Sequence, residues 1–199
     1  NIKKGKKLAW HFIANNVHDF TWAADPNYTH DVLKMDNGIS LHFLYKNDKK
    51  YAEAWKEIQP HTEKAMNYYN ENIGAYPWKQ YSVIQGGDGG MEYAMCTLVA
   101  GGETFNSIAG TVFHELAHTW FQQILANNES KHSWMDEGFT SYISSIASNK
   151  ILRGGDENPS AKSYGGYFNS VKNGIQESLT THADRFNTNA AFGIGSYTK

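Results

Sequence analysis

Two histidines and a glutamate have a spacing that suits metal chemistry. His114, Glu115 and His118 form the pattern His-Glu-x-x-His. On a helix, this four-residue separation places both imidazoles on one face, about one turn apart. Two imidazole nitrogens placed in this way can bind one Zn²⁺ ion at about 2.0 to 2.1 Å each, with Glu115 close enough to contact a water on the metal. The alternative is that both are helix-surface histidines that bind no metal.

A third ligand is available in the next predicted helix. Glu137 follows His118 after 18 intervening residues. A helix that begins near Ser133, where Ser133 and Asp136 fit a capping box, would run antiparallel to the first and carry Glu137 back beside His118. Two histidines and one carboxylate leave a fourth position for water, which is typical of a catalytic zinc site. The alternative role for Glu137 is a favourable negative charge in a first helical turn.

The helices that must position these residues follow from hydrophobic periodicity. A helix is predicted over residues 106–125, and its wide apolar surface indicates that it is buried within the domain. A helical pattern over 50–73 contains Pro60, which must start, kink or split that helix. A further helix is expected over 161–179.

The strands are predicted mainly in the first half of the chain. Residues 31–35 and 39–45 flank an Asn-Gly pair, which is a signal for a two-residue hairpin turn. A short strand is predicted over 81–85. The glycine-rich loop over 86–90 could pass close to a ligand, and residues 91–99 form a further strand unless they are helical.

Composition sets the class of protein. With 199 residues, of which 40% are hydrophobic and 19% charged, the chain is long enough for one domain with its own core. The net charge of −2 argues against nucleic acid as a partner. The single cysteine, Cys96, excludes an internal disulfide and is interpreted as a buried structural residue. The chain has no apolar run that could cross a membrane and does not begin with Met, so we expect an excised or mature segment. The compartment is not determined, although an extracytoplasmic location is weakly favoured.

The zinc motifs resemble those of the gluzincin aminopeptidases, the relatives of aminopeptidase N and of the bifunctional leukotriene hydrolase. The resemblance lies in residues 114–118, in the 18-residue gap, and in Trp-Met-Asp-Glu-Gly-Phe at 134–139. The family has Asn where this chain has Asp136. The resemblance implies an α+β, thermolysin-like catalytic domain with a mixed N-terminal sheet and an antiparallel edge strand. Its sheet-rich part would cover about 1–105 and its helical, zinc-binding part about 106–199, truncated at the C-terminus and separated from its flanking domains.

An upstream segment is similar to the exopeptidase signature of this family, Gly-x-Met-Glu-Asn. The residues are Gly89, Gly90, Met91 and Glu92, followed by Tyr93 in place of the family's Asn. The resemblance implies that the segment is an edge strand bordering the substrate cleft. Glu92 would bind the free α-amino group through a charge-assisted hydrogen bond, and the backbone around Gly89, Gly90 and Met91 would contact the peptide. Without the resemblance, Glu92 could equally be an ordinary surface glutamate.

The end of the chain resembles the family's Tyr-x-Lys segment. Tyr197 lies 60 positions after Glu137 and two before Lys199. The resemblance implies that Tyr197 donates a hydrogen bond to the oxyanion of the tetrahedral intermediate.

Together these interpretations predict a zinc-dependent aminopeptidase with one Zn²⁺ per chain. It would hydrolyse the N-terminal bond of peptides with a free N-terminus through a zinc-activated water, with Glu115 as general base and then acid. One alternative is a thermolysin-like endopeptidase, against which the segment with Met91 and Glu92 argues. Another is a zinc-binding fragment with little activity when separated from its flanking domains. The preferred N-terminal residue and the oligomeric state are not indicated.

Overall fold

The computed structural model describes residues 2–4, 7–87, 89–100, 104–155 and 158–198. Asp88 of the predicted glycine-rich loop and Lys199 of the Tyr-x-Lys segment lie outside these ranges. In chain order the strands are β1 (Ile2–Lys4), β2 (Lys7–Ala9), β3 (Tyr28–Lys34), β4 (Ser40–Lys46), β5 (Gln80–Gly86), β6 (Met91–Tyr93) and β7 (Cys96–Ala100). The α-helices are α1 (Ala52–Asn72), α2 (Phe105–His118), α3 (Phe139–Leu152), α4 (Ala161–Lys172) and α5 (Asn189–Gly193). Shorter helical segments are the π-helical Thr119–Ile124, Trp134–Gly138 and Ile194–Thr198 and the 3₁₀ turn Ala183–Arg185.

A mixed five-stranded sheet forms the first half of the fold, with the order β3-β4-β5-β7-β6. The central strands β4, β5 and β7 run parallel, whereas β3 and β6 are antiparallel to their neighbours at the two edges. In β4 every second side chain is buried, namely Leu41, Phe43 and Tyr45. This face packs on α1, where the Tyr45 ring stacks on Trp55 with centroids 5.3 Å apart. The predicted α+β class and the antiparallel edge strand are therefore confirmed.

The hairpin between β3 and β4 is present, but its loop is one residue longer than the Asn-Gly pair suggested. The amide of Gly38 donates to the carbonyl of Met35 at 3.0 Å, and the amide of Met35 donates to the carbonyl of Ile39 at 2.9 Å. Gly38 has φ +85°, which favours glycine. This pattern is that of a three-residue loop in which a turn is followed by a left-handed glycine.

Two further predictions about element boundaries were wrong. Residues 91–99 form two short antiparallel strands, β6 and β7, because the chain reverses at Met95, whose φ is +58°. The helix predicted over 161–179 ends at Lys172, and Gly174 follows with φ +65°.

Helix α1 runs without a break through Pro60. The apolar side chains before and after the proline, Trp55, Ile58, Ala65 and Met66, are all fully buried. Their packing on the core compensates for the helix hydrogen bond that the proline lacks.

Helix α2 lies in the centre of the domain, as its wide apolar surface predicted. It packs against α1 on one side and α3 on the other, and β6 and β7 of the sheet also contact it. The hydroxyl of Tyr69 in α1 donates to the carbonyl of Phe113 in α2 at 2.8 Å. In the described part of the chain, no helix combines the length and apolar character that crossing a membrane requires.

Candidate active site

Three donor atoms converge between helix α2 and the segment that leads into α3. Nε2 of His114 lies 3.1 Å from Nε2 of His118 and 3.1 Å from Oε2 of Glu137. Nε2 of His118 lies 3.3 Å from the same carboxylate oxygen. A tetrahedral ion with ligand bonds of about 2.0 to 2.1 Å separates its ligand atoms by about 3.3 to 3.4 Å. These three donors therefore fit one Zn²⁺ ion with little adjustment.

The three residues meet because helix α2 and the segment that leads into α3 lie next to each other. His118 is the last residue of α2, and Glu137 lies in the π-helical turn Trp134–Gly138 that leads into α3. Helices α2 and α3 pack against each other, as the predicted antiparallel arrangement requires. A second π-helical turn, Thr119–Ile124, follows His118 directly. Single π turns inside helices occur frequently at functional sites. Here one such turn carries Glu137 and the other begins directly after His118.

Asp136 contacts the ring of His118 at Nδ1, whereas the atom of His118 that belongs to the three donors is Nε2. Its Oδ1 atom lies 2.5 Å from Nδ1 of His118, and both side chains are almost completely buried. The Thr140 hydroxyl lies 3.3 Å from the same nitrogen. A carboxylate at Nδ1 keeps the proton there and leaves Nε2 free to bind a metal. Burial acts to lower the pKa of His118, but the hydrogen bonds with Asp136 and Glu137 raise it well above its ordinary value.

The predicted capping box at the start of this helix is absent. The Ser133 hydroxyl makes no capping bond and instead lies 2.8 Å from Oγ of Ser196. Asp136 is engaged with His118. Both side chains therefore join the site to other elements of the fold.

A second group of possible metal ligands among the described residues consists of Glu92, His118 and Asp136. In this group, Oδ1 of Asp136 lies 2.5 Å from Nδ1 of His118. That separation suits a hydrogen bond and is much shorter than the spacing of two ligands around one ion. The group that contains His114 and Glu137 is therefore the better metal site.

Two more carboxyl groups, those of Glu115 and Glu92, are buried beside these donors. Burial raises the pKa of Glu115 to about 8 and that of Glu92 to about 7, against the opposing influence of His118. Neighbouring carboxylates raise both values further. For Glu137, burial acts in the same direction, but hydrogen bonds with His114 and His118 lower its pKa to about 2. Such a concentration of acid groups favours a bound cation, which would in turn lower the pKa of the carboxyl groups around it.

Strand β6 forms the edge of the sheet beside this cluster. Among the described residues it pairs with β7 alone, and an unpaired strand edge is a surface to which an extended peptide can add. The side chain of Met91 is exposed and that of Glu92 is buried. Gly90 lies directly against the carboxylate of Glu115, because a Cβ atom at this position would be only 2.1 Å from Oε1 of Glu115. The neighbouring Gly89 is exposed, with open space around its Cα.

Tyr197 reaches the same cluster from the end of the chain. Its hydroxyl donates to Oε1 of Glu137 at 2.5 Å, and its ring stacks on that of His114 with centroids 5.9 Å apart. Burial and the hydrogen bond with Glu137 raise the pKa of the Tyr197 phenol. The phenol is therefore a hydrogen-bond donor next to His114, His118 and Glu137, the metal-ligand group.

These side chains line a cleft with a volume of about 290 Å³. A larger cavity of about 700 Å³ is also lined by Tyr197, but His114, His118 and Glu137 do not line it. The residues that line the smaller cleft are Gly90, Met91, Glu92, His114, Glu115, His118, Glu129, Ser130, Ser133, Asp136, Glu137, Ala183, Phe192 and Tyr197.

The part of the sequence that carries these donors matches a known protein family. The model of the Peptidase family M1 domain matches residues 59–199. The chain belongs to peptidase family M1. The resemblance to gluzincin aminopeptidases is thereby confirmed.

Relatives of this family M1 chain include leucine aminopeptidase 2 of Aspergillus clavatus, which is 30% identical over 115 residues, or 53% of this chain and 18% of that protein. Leukotriene A-4 hydrolase of Xenopus laevis is 29% identical over 115 residues, with the same coverage of both chains. The structure of yeast LTA4 hydrolase in complex with bestatin shares the fold, with a TM-score of 0.59 at 19% identity. That comparison covers 85% of this chain and 28% of the yeast chain. The chain thus spans less than a fifth of the length of these two curated relatives.

The sequence motifs of this family M1 chain did not include four residues that line the cleft: Glu129, Ser130, Ala183 and Phe192. Glu129 and Ser130 lie between the two metal-ligand helices, and the other two lie within the 3₁₀ turn and α5. Loop positions have no periodicity from which their direction could be predicted. Ser130 and Ala183 are far apart in the sequence, and they meet in the fold through a backbone hydrogen bond of 2.8 Å from the amide of Ala183 to the carbonyl of Ser130.

Proposed function

We propose that this chain is the catalytic core of a zinc-dependent aminopeptidase that removes residues from peptides with a free N-terminus. The proposal depends chiefly on three donor atoms, from His114, His118 and Glu137, that lie 3.1 to 3.3 Å apart. Two buried carboxyl groups line the same cleft beside the open edge of β6.

Each residue of the proposed active site would have a separate role in the reaction. A bound Zn²⁺ would supply a Lewis acid that polarises the scissile carbonyl and lowers the pKa of water. Glu115 would accept a proton from the attacking water and pass it to the leaving amine. A cation held by His114, His118 and Glu137 would favour the ionised form of Glu115 that this role needs, because it would lower the pKa that burial raises. The Tyr197 hydroxyl donates a hydrogen bond to the negative charge that develops on the carbonyl oxygen.

Glu92 explains why the enzyme would act at the N-terminus. Glu92 is 9% exposed, belongs to β6 and lines the cleft. A charge-assisted hydrogen bond to the substrate ammonium sets the distance between the N-terminus and the metal ligands. Gly89, Gly90 and Met91 supply the backbone along which the first residues of the peptide extend.

We further propose that the chain has the thermolysin-like arrangement of sheet and helices. The sheet-rich part would cover about residues 1–105 and the helical, zinc-binding part about 106–199. Flanking domains of the intact protein would complete the walls of the cleft, because the chain spans 18% of its curated relatives.

The role of Glu115 is tested by the variant Glu115→Gln, which keeps the shape of the side chain and removes the proton acceptor. We expect it to bind one zinc ion per chain, as measured by elemental analysis, while kcat falls by at least about 10²-fold. Glu71→Gln, on the exposed surface of α1, is the matched control and should leave both quantities unchanged. Turnover by Glu115→Gln near the wild-type rate would remove Glu115 from the mechanism.

The role of Glu92 is tested by comparing peptides that have a free N-terminus with their N-acetylated forms. We expect the protein to cleave only the free peptides, and Glu92→Ala to lose most of this discrimination along with aminopeptidase turnover. Efficient cleavage of acetylated peptides would instead identify a thermolysin-like endopeptidase. Zinc binding without cleavage by the isolated chain, together with activity of the intact protein, would show that the flanking domains are required.

A further inference from the structure

Tyr197 reaches the candidate metal site from a part of the chain that is distant in sequence. It lies 60 positions after Glu137, in the π-helical turn Ile194–Thr198. The residue is 39% exposed, so burial alone does not fix its position. Its turn packs against Trp134–Gly138, the turn that carries Glu137. The contacts between these two turns therefore determine where the Tyr197 hydroxyl lies.

One buried hydrogen bond links the two turns. Oγ of Ser196, the residue before Tyr197, lies 2.8 Å from Oγ of Ser133, the residue before Trp134. Ser196 is 1% exposed and Ser133 is 5% exposed, so water has little access to this bond. Removing one hydroxyl would deprive the other, buried hydroxyl of this partner, which is costly. The hydrogen bond therefore opposes any movement of Tyr197 away from the turn that carries Glu137.

A close backbone contact links the same two turns at a second point. A Cβ atom at Gly138 would lie 3.0 Å from the carbonyl oxygen of Ser196, which is closer than ordinary van der Waals contact. Glycine at this position therefore allows the two backbones to approach each other directly. Ser133 precedes the turn that carries Glu137, and Gly138 ends it. Contacts with Ser196 thus hold this turn at both of its ends.

We propose that Ser133 and Ser196 are positioning residues that hold the Tyr197 hydroxyl in place for oxyanion stabilisation. This inference rests on the proposed function, because it requires Tyr197 to act on the reacting carbonyl group. A donor in this role must be accurately placed, and a displacement of about 1 Å can lower the rate by about 10²-fold. Ser133 also lines the cleft, so the test must separate action through Tyr197 from direct contact with the substrate.

The first test measures how the loss of each hydroxyl affects turnover of alanine p-nitroanilide by the intact, zinc-loaded protein. We expect Ser196→Ala and Ser133→Ala each to lower kcat by about threefold to tenfold, which is within the range that one neutral hydrogen bond contributes. KM should stay within about twofold of wild type. The control Thr62→Val also removes a buried hydroxyl, which donates to the carbonyl of Ile58 within α1, and it should leave kcat unchanged.

A double-mutant cycle shows whether the two serines act through Tyr197. Tyr197→Phe already lacks the hydroxyl, so adding Ser196→Ala or Ser133→Ala should change its kcat by less than about twofold. If either serine variant lowers kcat by the same factor in both backgrounds, that serine acts independently of Tyr197 and the inference is overturned. Unchanged kcat in both single variants would overturn it as well.

A combined variant covers the case in which a single variant fails to fold. Ser133→Ala/Ser196→Ala removes both hydroxyls, so neither remains buried without its partner, and the protein should fold. Its kcat should fall by the same threefold to tenfold as expected for the single variants, about as much as one neutral hydrogen bond contributes. A combined variant with wild-type kcat would contradict the positioning role.

A spectroscopic measurement reports on Tyr197 without turnover. The zinc-loaded protein is labelled with 3-fluorotyrosine, and the ¹⁹F resonance of Tyr197 is identified by its absence in Tyr197→Phe. We expect this resonance to move towards that of free 3-fluorotyrosine in Ser196→Ala and Ser133→Ala, and to be unchanged in Thr62→Val. If no free-amine substrate is hydrolysed, the proposed function fails, and the resonance still decides whether the serines position Tyr197. A resonance that is the same in wild type and in both serine variants would overturn the inference.

Discussion

The hydrogen bond between Asp136 and His118 should control zinc affinity, and its contribution can be worked out from the structure. Oδ1 of Asp136 lies 2.5 Å from Nδ1 of His118, with both side chains almost completely buried. A hydrogen bond to a charged group contributes about 1.5 to 3 kcal/mol, and a neutral one about 0.5 to 1.5 kcal/mol. Asp136→Asn preserves the shape and an acceptor oxygen, so we expect a loss of about 1 kcal/mol, or about fivefold to tenfold in zinc affinity.

A second variant increases the effect in a predictable way. Asp136→Ala removes the acceptor, and only the Thr140 hydroxyl at 3.3 Å remains beside Nδ1 of His118. We expect zinc affinity to fall by about 10- to 100-fold, the range found when the partner of a metal-binding histidine is removed. The matched control is Asp184→Asn, because Asp184 forms an exposed pair with His182 at 3.8 Å outside the metal-ligand group. This control should leave zinc affinity unchanged.

The assay is a competition titration with a chromophoric chelator at constant pH, which gives the zinc dissociation constant of each variant. Thermal unfolding in excess EDTA, measured in parallel, shows whether a variant also destabilises the metal-free protein. If Asp136→Asn and Asp136→Ala both bind zinc within about twofold of wild type, Asp136 does not support the metal site. The order of the two variants is equally informative, since an Asn variant weaker than the Ala variant would contradict the hydrogen-bond argument.

Two other side chains lead to further predictions. Tyr197→Phe removes the hydroxyl that donates to Glu137, so kcat should fall by about 10²- to 10³-fold with zinc still bound. The control Tyr164→Phe, at an exposed position of α4, should leave kcat unchanged. Similar kcat values in the two variants would exclude the oxyanion role of Tyr197. Burial raises the pKa of the Cys96 thiol to about 12, so a thiol reagent at pH 8 should modify it only after unfolding. Mass spectrometry of native and urea-treated protein measures this difference, and rapid modification of the native protein would contradict it.

The parts of the fold that could be predicted from sequence are those that carry a long periodic pattern. Helix α2 has apolar residues on so much of its surface that its burial could be expected, and the positions of His114 and His118 on one face followed from the helical repeat. The hairpin of β3 and β4 could be predicted because its glycine occupies the left-handed conformation at Gly38. In each case the information lies within about twenty neighbouring residues.

Short segments could not be predicted in the same way. Residues 91–99 divide into two strands because Met95 adopts φ +58°, a conformation for which methionine has no preference that the sequence reveals. The three-residue loop before Ile39 uses the same Asn and Gly as a two-residue turn would, so composition alone did not distinguish the two.

Ser133 and Asp136 show why a local motif can be correct in composition and wrong in structure. Their spacing fits a capping box, yet Ser133 bonds Ser196, 63 residues later, and Asp136 bonds His118, 18 residues earlier. A capping bond would compete with these long-range partners. A buried imidazole is stabilised more by a hydrogen bond to a carboxylate than an exposed backbone amide is, and the carboxylate also orients the ring so that its other nitrogen can bind a metal. The residue immediately before the third predicted ligand therefore contacts the candidate metal site through the ring of the second predicted ligand. This relation appears only when α2 and α3 are brought together, and it gives Asp136, where the family has Asn, a physical role that the sequence alone did not suggest.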